Sequence, residues 1–230
     1  MDIDNPFCWV ESRVGGMRER SLTIAQRLWT SRLLLRPFGD KDQSDLADIL
    51  KHSSVSDMLL DVPPDYDLEH AATTLKYYQE ETDFQRGYYY AIQCRGPQGY
   101  ADGPVIGAIS LRWDIPKFSA ELGYFFHPSV WGKGYCTEAS LALMWAGFQQ
   151  LKISRIFARH IKGNERSGRV MEKLGMQFEG HLRQHILVHD KLEDTVYFGI
   201  LKPEFIQVAA SYRQQLYQLE RHKESSSVTA

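Results

Sequence analysis

Along residues 32–201, the spacing of the apolar residues switches several times between every second residue and every third or fourth residue. Short runs rich in β-branched and aromatic residues predict strands, at residues 32–38, 87–94, 105–114, 119–128, 155–161, 178–188 and 194–201. Apolar residues repeating at helical spacing predict helices, at about residues 40–50, 68–82, 135–148, 164–175 and 203–222. The first of these helices is expected to use Asp40 as its N-cap.

This order of elements predicts a mixed α+β fold in a single domain. Three strands between residues 87 and 128 are joined by short turns, which favours an antiparallel meander. The strand–helix–strand piece over 120–161 can pair in parallel through its crossover helix. We therefore expect one mixed sheet of about seven strands flanked by helices. Residues 1–29 are interpreted as an N-terminal extension, 30–202 as the domain, 203–222 as a C-terminal helix and 223–230 as a disordered tail.

Composition narrows the class of protein. The 230 residues carry 27 basic and 29 acidic side chains, so a net charge of −2 offers no general attraction to nucleic acid. Three cysteines that lie far apart predict neither a disulfide framework nor a zinc cluster. The sequence shows no apolar run of membrane-spanning length and no signal-peptide pattern. A cytoplasmic protein without membrane or nucleic-acid partners is expected, and a homodimer is left open.

The segment HPSVWGKGYCTEA, residues 127–139, places two glycines directly before a predicted helix. Gly132 and Gly134 permit the positive φ angles of a sharp turn. The first N–H groups of a helix have no partner within it, so with the loop they form a donor surface suited to phosphate. The ATP-binding P-loop pattern fails at Gly134, where Ser or Thr belongs, and the dinucleotide pattern fails at Thr137. A plain strand-to-helix turn remains the alternative interpretation.

Four segments occur in a characteristic order: TSRLLLRPFGDKD, AELGYFF, WGKGYCTEA and GNERSGRVMEKLGMQFEGHLR. Together they resemble the GCN5-related N-acetyltransferase (GNAT) superfamily over about residues 30–202, and most of all its RimJ/RimL-type ribosomal-protein alanine acetyltransferase branch. The resemblance implies a splayed sheet, acetyl-CoA as cosubstrate and direct attack by a primary amine. Ser129 stands where the family's pyrophosphate loop usually has Arg or Gln.

The resemblance also implies site residues. The pantetheine arm is expected to pair with the backbone of the strand at 119–127, and Asn164 to serve both as N-cap and as cofactor ligand. The cofactor-binding set is Leu122, Tyr124, Phe125, Phe126, Trp131, Gly132, Lys133, Gly134, Tyr135, Cys136, Thr137, Asn164 and Ser167. The side chains of the aromatic residues in that strand are interpreted as core, and Cys136 as a packed residue.

Two residues are candidate catalysts. Glu121 is expected to accept the amine proton, with an ion-paired or exposed glutamate as the alternative. Ser167 is expected to protonate the leaving thiolate, with an ordinary first-turn serine as the alternative. Many relatives use a tyrosine for this step, but none lies between Asn164 and Gly175.

The sequence says less about the acceptor substrate than about the cofactor. A peptide α-amino group, with a pKa near ~8 against ~10.4 for lysine, needs only a modest base, which favours a protein or peptide N-terminus. A polyamine or other small amine is an alternative, and so is a non-catalytic acyl-CoA-binding regulator. Residues 58–67 and 185–194 are candidate acceptor linings. Eight scattered histidines form no metal-binding motif, so no metal is expected.

Overall fold

The computed structural model describes residues 24–60, 62–96, 103–115 and 118–212. The N-terminal extension before residue 24 and the expected helix and tail beyond residue 212 lie outside this part. The strands are β1 Leu28–Trp29, β2 Leu33–Pro37, β3 Gly87–Cys94, β4 Val105–Ile115, β5 Ser119–Phe126, β6 Arg155–Ile161, β7 Gln177–Val188 and β8 Lys191–Leu201. The helices are α1 Gln43–Leu50, α2 Ser53–Ser56, α3 Leu68–Asp83, α4 Tyr135–Ala146, α5 Glu165–Lys173 and, from the backbone of residues 202–212, α6.

One mixed sheet carries all described strands, in the order β1-β2-β3-β4-β5-β6-β8-β7. Its neighbours are antiparallel except for β5 and β6, which confirms both the meander and the parallel crossover expected from sequence. The sheet has eight strands, one more than the sequence predicts. The extra strand is β1, whose Leu28 is fully buried beside β2 although it spans only two residues.

The parallel pair opens into a gap, which gives the splayed sheet that the resemblance implies. β5 pairs with β6 only over Ser119–Glu121, against Arg155–Phe157. β6 meanwhile stays paired with β8 along its whole length, from Arg155 to Ile161. Because neighbouring strands twist relative to each other, β6 follows β8 away from β5. In the described part of the chain, no strand pairs with residues 122–126 on that side.

The two faces of the sheet bury different helices. Alternate side chains of β5, namely Ala120, Leu122 and Phe126, join the core that contains α4 and the end of α5. Phe125, on the opposite face, packs against the core of α1 and α3. No helix in the described residues is long and apolar enough to cross a membrane.

The start of α1 differs from the prediction because Asp40 begins a single 3-10 turn, Asp40–Asp42, ahead of the α-helix. Asp42 accepts hydrogen bonds from the Arg36 guanidinium at 2.6 and 2.7 Å, and from the Gly39 N–H at 2.8 Å. Its side chain is only 3% exposed. Burial opposes ionisation, but the bonds from Arg36 and Gly39 prevail and lower the pKa of Asp42.

Asp42→Asn should lower the free energy of unfolding by about 3 kcal/mol, because it leaves the largely buried Arg36 charge without its ion-pair partner. A depressed carboxyl pKa stabilises the fold above the unfolded value of about 3.9, and this contribution is lost as the pH falls through the folded pKa. The difference between wild type and variant in urea denaturation should therefore shrink below about pH 4. Asp40→Asn removes the same charge from an exposed site and should cost less than about 0.5 kcal/mol. Equal losses for the two variants would contradict the role of this ion pair.

Candidate functional site

The glycine loop between β5 and α4 has the backbone that its sequence predicts. Gly132 and Gly134 adopt φ angles of 76° and 78°, in the left-handed region. Gly134 is the N-cap of α4, and the first helical bond runs from the Glu138 N–H to the Gly134 carbonyl. The N–H groups of residues 135–137 precede that bond and, as in any helix, have no partner within it. The exposed loop thus presents main-chain donors at the positive end of the α4 dipole.

Arg32, directly before β2, holds this loop in place. Its Nη1 donates to the Lys133 carbonyl at 2.9 Å, and its Nε donates to Glu138 Oε2 at 2.6 Å. The guanidinium carbon also lies 4.6 Å from the centre of the Tyr135 ring. Sequence reasoning missed Arg32, because it is 101 residues from Lys133 and no local pattern connects the two. Arg32 supplies an anchor for a loop that carries Ser129 in place of the family's usual Arg or Gln.

Trp131 and Arg166 connect the glycine loop to α5, which Asn164 caps. The indole Nε1 of Trp131 donates to the Phe126 carbonyl at 2.9 Å, and the Arg166 guanidinium stacks 4.7 Å from the indole ring centre. Asn164 is the N-cap of α5, where its Oδ1 accepts from the Ser167 N–H at 3.3 Å. The cap geometry therefore agrees with the sequence. The role of Asn164 as cofactor ligand stays a prediction.

A tyrosine of β5 lies beside Ser167 of α5, although it comes from a different element than expected. The Tyr124 hydroxyl of β5 lies 2.9 Å from Ser167 Oγ and 3.2 Å from the Ser167 carbonyl oxygen. Burial, reinforced by the nearby Cys136 thiol, raises the pKa of Tyr124 well above its usual value. The phenol is therefore protonated over the physiological range and able to donate. The sequence around Ser167 gives no sign of this contact, because Tyr124 lies 43 positions earlier in the chain.

Cys136 lies in the first turn of α4, but its thiol has low reactivity. Burial raises the pKa of the Cys136 thiol. A thiol kept protonated in this way is a poor nucleophile. The geometry fits the packed residue that the sequence predicts.

Glu121 is held between two arginines at the point where β5 and β6 part. Arg112 Nη2 donates to Oε2 and Arg159 Nε donates to Oε1, each at 2.9 Å. The carboxylate is 17% exposed. Arg159 also donates to the Tyr197 hydroxyl at 3.3 Å. The ion-paired alternative is thus present in the geometry, and the role of Glu121 as base stays a prediction.

The two segments named as candidate acceptor linings touch each other. The imidazole Nε2 of His189, in the β7–β8 turn, lies 2.8 Å from the Val62 carbonyl, and its Nδ1 lies 3.9 Å from Asp57. Farther along the hairpin, where β7 bulges away from β8, there is an open surface pocket. Its lining comprises His181, Leu182, Arg183, Gln184, His185 and Asp194. The ring of His185 contacts that of Tyr197, with centroids 5.8 Å apart, so polar side chains connect Glu121 to this pocket.

Glu121 and the Tyr124–Ser167 pair lie on opposite faces of the sheet. Side chains alternate along β5, and Tyr124 packs on the α4 side whereas odd-numbered Phe125 packs on the α1 side. Glu121 shares the face of Phe125. A reactant on each face can therefore reach the gap beyond Glu121 without displacing the other.

Comparison with known proteins gives one consistent family. Residues 32–177 match the model of the acetyltransferase (GNAT) domain. Uncharacterized N-acetyltransferase YoaA of Bacillus subtilis is 29% identical over 177 residues, which cover 76% of this chain and 97% of that protein. The [ribosomal protein uS5]-alanine N-acetyltransferase of Escherichia coli is 30% identical over 84 residues, covering 36% of this chain and 43% of that protein.

Solved structures share the architecture. An acetyltransferase of the GNAT family from Bacillus anthracis superposes with a TM-score of 0.66 at 26% identity, over 76% of this chain and 98% of that one. The ribosomal L7/L12 acetyltransferase RimL, in complex with coenzyme A, has a TM-score of 0.65 at 18% identity, over 75% and 95% of the two chains. Spermidine N-acetyltransferase from Vibrio cholerae, in complex with coenzyme A and spermine, has a TM-score of 0.65 at 17% identity, over 77% of this chain and 99% of that one. Because the last two structures share so little sequence identity with this chain, they show a common fold only.

Proposed function

The chain belongs to the GNAT acetyltransferase family, and from that premise we propose that it transfers the acetyl group of acetyl-CoA to the α-amino group of a protein or peptide. The chain is an N-acetyltransferase with acetyl-CoA as its cosubstrate; the acceptor class and the site residues are the proposal. One observation carries the proposed site. Among the described residues, no strand pairs with the β6 side of β5 over residues 122–126, and this edge leads directly into the glycine loop.

The unpaired edge and the loop suit the two ends of coenzyme A. Main-chain amides along 122–126 can hydrogen-bond the pantetheine arm as an added strand would, and the N–H donors of residues 132–137 can take the pyrophosphate. Asn164, close to Ser167 at the head of α5, faces the same gap in this proposal. The thioester is thereby aimed at the gap, so the protein contributes chiefly orientation.

The reaction needs one proton acceptor and one proton donor. The amine nitrogen attacks the thioester carbon, forming a C–N bond and an oxyanion that a β5 main-chain N–H can stabilise. Collapse of this intermediate breaks the C–S bond. Glu121, on the α1 face, takes the amine proton directly or through water. Ser167, hydrogen-bonded to Tyr124 on the other face, protonates the thiolate.

Charge at the hairpin pocket favours a peptide over a polyamine. A polyamine would need several unpaired carboxylates along its path. Asp194 is the one acid among the pocket's six lining residues, and it is already 2.8 Å from His181 and 3.6 Å from Lys162. Arg183 adds a positive charge to the same lining. An uncharged peptide segment following a neutral α-amine meets no such penalty.

A thiol-release assay with acetyl-CoA tests the acceptor class. We expect release with peptides that have a free N-terminus and none with the same peptides blocked at the N-terminus but containing an internal lysine. Spermidine and free lysine serve as small-amine competitors. Release with spermidine alone would contradict a peptide acceptor, and coenzyme A binding without release on any acceptor would indicate the regulatory alternative.

Ser167→Ala and Tyr124→Phe should each lower kcat about 10-fold while leaving coenzyme A affinity within about twofold. The effect is modest because a thiolate, with a thiol pKa near 8.5, already leaves readily. Since the pKa of Tyr124 is raised, its hydroxyl keeps its proton at alkaline pH. The kcat of the wild type should therefore show no loss from this group between about pH 7 and 10.

The matched control for these variants is Tyr212→Phe. It removes another tyrosine hydroxyl that bonds a carbonyl of α5, that of Lys173 at 3.1 Å, but at the far end of the helix. Its kcat should be unchanged. If all three variants lost turnover equally, the hydroxyls would be supporting α5 and not the leaving group.

A further inference from the structure

Two histidines and an aspartate converge on the α1 side of the sheet, next to the glycine loop but outside the site described above. Asp48 lies in α1, His52 caps α2, and His127 follows β5. The two imidazole Nε2 atoms are 3.1 Å apart, and His127 Nε2 is 3.4 Å from Asp48 Oδ2. One ligand atom from each residue fits within 4.8 Å of the others. Sequence offered no sign of this cluster, because His52 and His127 are 75 residues apart.

The His52–His127 and Asp48–His127 separations match the edges of a metal coordination sphere. Bonds of about 2.05 Å to imidazole or carboxylate in a tetrahedral zinc site place neighbouring ligand atoms about 3.3 Å apart. The ring centroids are 4.8 Å apart while the Nε2 atoms are only 3.1 Å apart, so both nitrogens are turned toward each other. A small movement of the rings would direct both lone pairs at one ion.

Neighbouring residues orient two of the three side chains. Lys51 contacts Oδ1, which leaves Oδ2 directed at His127. The Ser129 main-chain N–H donates to His127 Nδ1 at 3.2 Å, and Ser129 Oγ lies 2.7 Å from the same nitrogen, so Ser129 fixes the orientation of the ring.

We propose that Asp48, His52 and His127 form a binding site for a divalent transition metal of the zinc type. Two imidazoles and one carboxylate suit Zn²⁺ or Co²⁺ and leave a fourth position for water or another ligand. Mg²⁺ prefers an all-oxygen octahedral set and should bind poorly. The ion would tie the α1–α2 segment to the start of the glycine loop, since Ser129 and Gly132 follow His127 directly. This proposal is independent of the acceptor class.

Calorimetric titration of the metal-stripped full chain with ZnCl₂ tests the site. We expect one tight equivalent, which His52→Ala and His127→Ala each weaken at least about 10-fold. His70→Ala is the matched control: His70 pairs with Asp67 at 2.7 Å on α3, and no third ligand joins them among the described residues. Its zinc affinity should equal that of the wild type.

Two measurements do not depend on the variants folding. Co²⁺ added to the wild type should give the intense visible absorption of a tetrahedral ion, and Zn²⁺ but not Mg²⁺ should raise its melting temperature. A wild type that shows no Zn²⁺ binding and no Co²⁺ spectrum would overturn the proposal. So would folded His52 and His127 variants that bind Zn²⁺ as tightly as the wild type does.

Discussion

Replacing Gly134 by valine is expected to weaken coenzyme A binding about 100-fold or more. Gly134 has φ of 78°, a conformation that a β-branched residue avoids. A Cβ there would lie 3.5 Å from Arg32 Nη2, an ordinary contact, so the expected effect is conformational and not a clash. If the loop relaxes and turns two charge-assisted N–H donors away from the pyrophosphate, the loss is about 3 kcal/mol, or roughly two powers of ten.

Isothermal titration with coenzyme A measures this effect, and Gly39→Val supplies the control. Gly39 also lies in an exposed loop, and a Cβ added there would meet no atom within 4 Å, but its φ of −137° suits any residue. Coenzyme A affinity in Gly39→Val should match the wild type. A Gly134→Val protein that binds coenzyme A normally would show that the two glycines only turn the chain.

Glu121→Gln is expected to lower kcat by about 100-fold or more while coenzyme A affinity stays within about twofold, if Glu121 is the base. The amide keeps the size of the side chain and can still accept a hydrogen bond, but it cannot take the amine proton. The ion-paired interpretation predicts another outcome. Loss of the pairs with Arg112 and Arg159 would lower the melting temperature and leave the kcat of the folded enzyme nearly unchanged.

Glu179→Gln separates these outcomes. Glu179, on β7, pairs with both terminal nitrogens of Arg155, and its side chain is 35% exposed. Removing its charge breaks a comparable ion pair away from the gap. Thermal unfolding and kcat measured on both variants should show similar losses of stability, with turnover lost only in Glu121→Gln. Full turnover in Glu121→Gln would remove Glu121 from the role of base.

The sequence predicts much of this fold because its elements are locally encoded. The strands at 87–94 and 155–161 have the bounds that alternation and β-propensity indicate, and α5 begins directly after Asn164 as the capping preference of that residue requires. β1 was not predicted because a strand of two residues is too short to show an alternation of apolar and polar side chains. The start of α1 was predicted at the wrong residue because Asp42 forms an ion pair with Arg36, and helix propensity carries no information about that pair.

The amino-acid sequence by itself determined the glycine loop, the crossover beside it and the family, since positive φ, capping and periodicity act within a few neighbouring residues. Only the tertiary structure decided which distant side chains meet: Arg32 on the loop, Tyr124 against Ser167, two arginines around Glu121, and, outside that site, His52 beside His127. These pairs bridge distant parts of the chain. Their proximity depends on strand order, register and the face on which each side chain emerges, none of which leaves a local pattern.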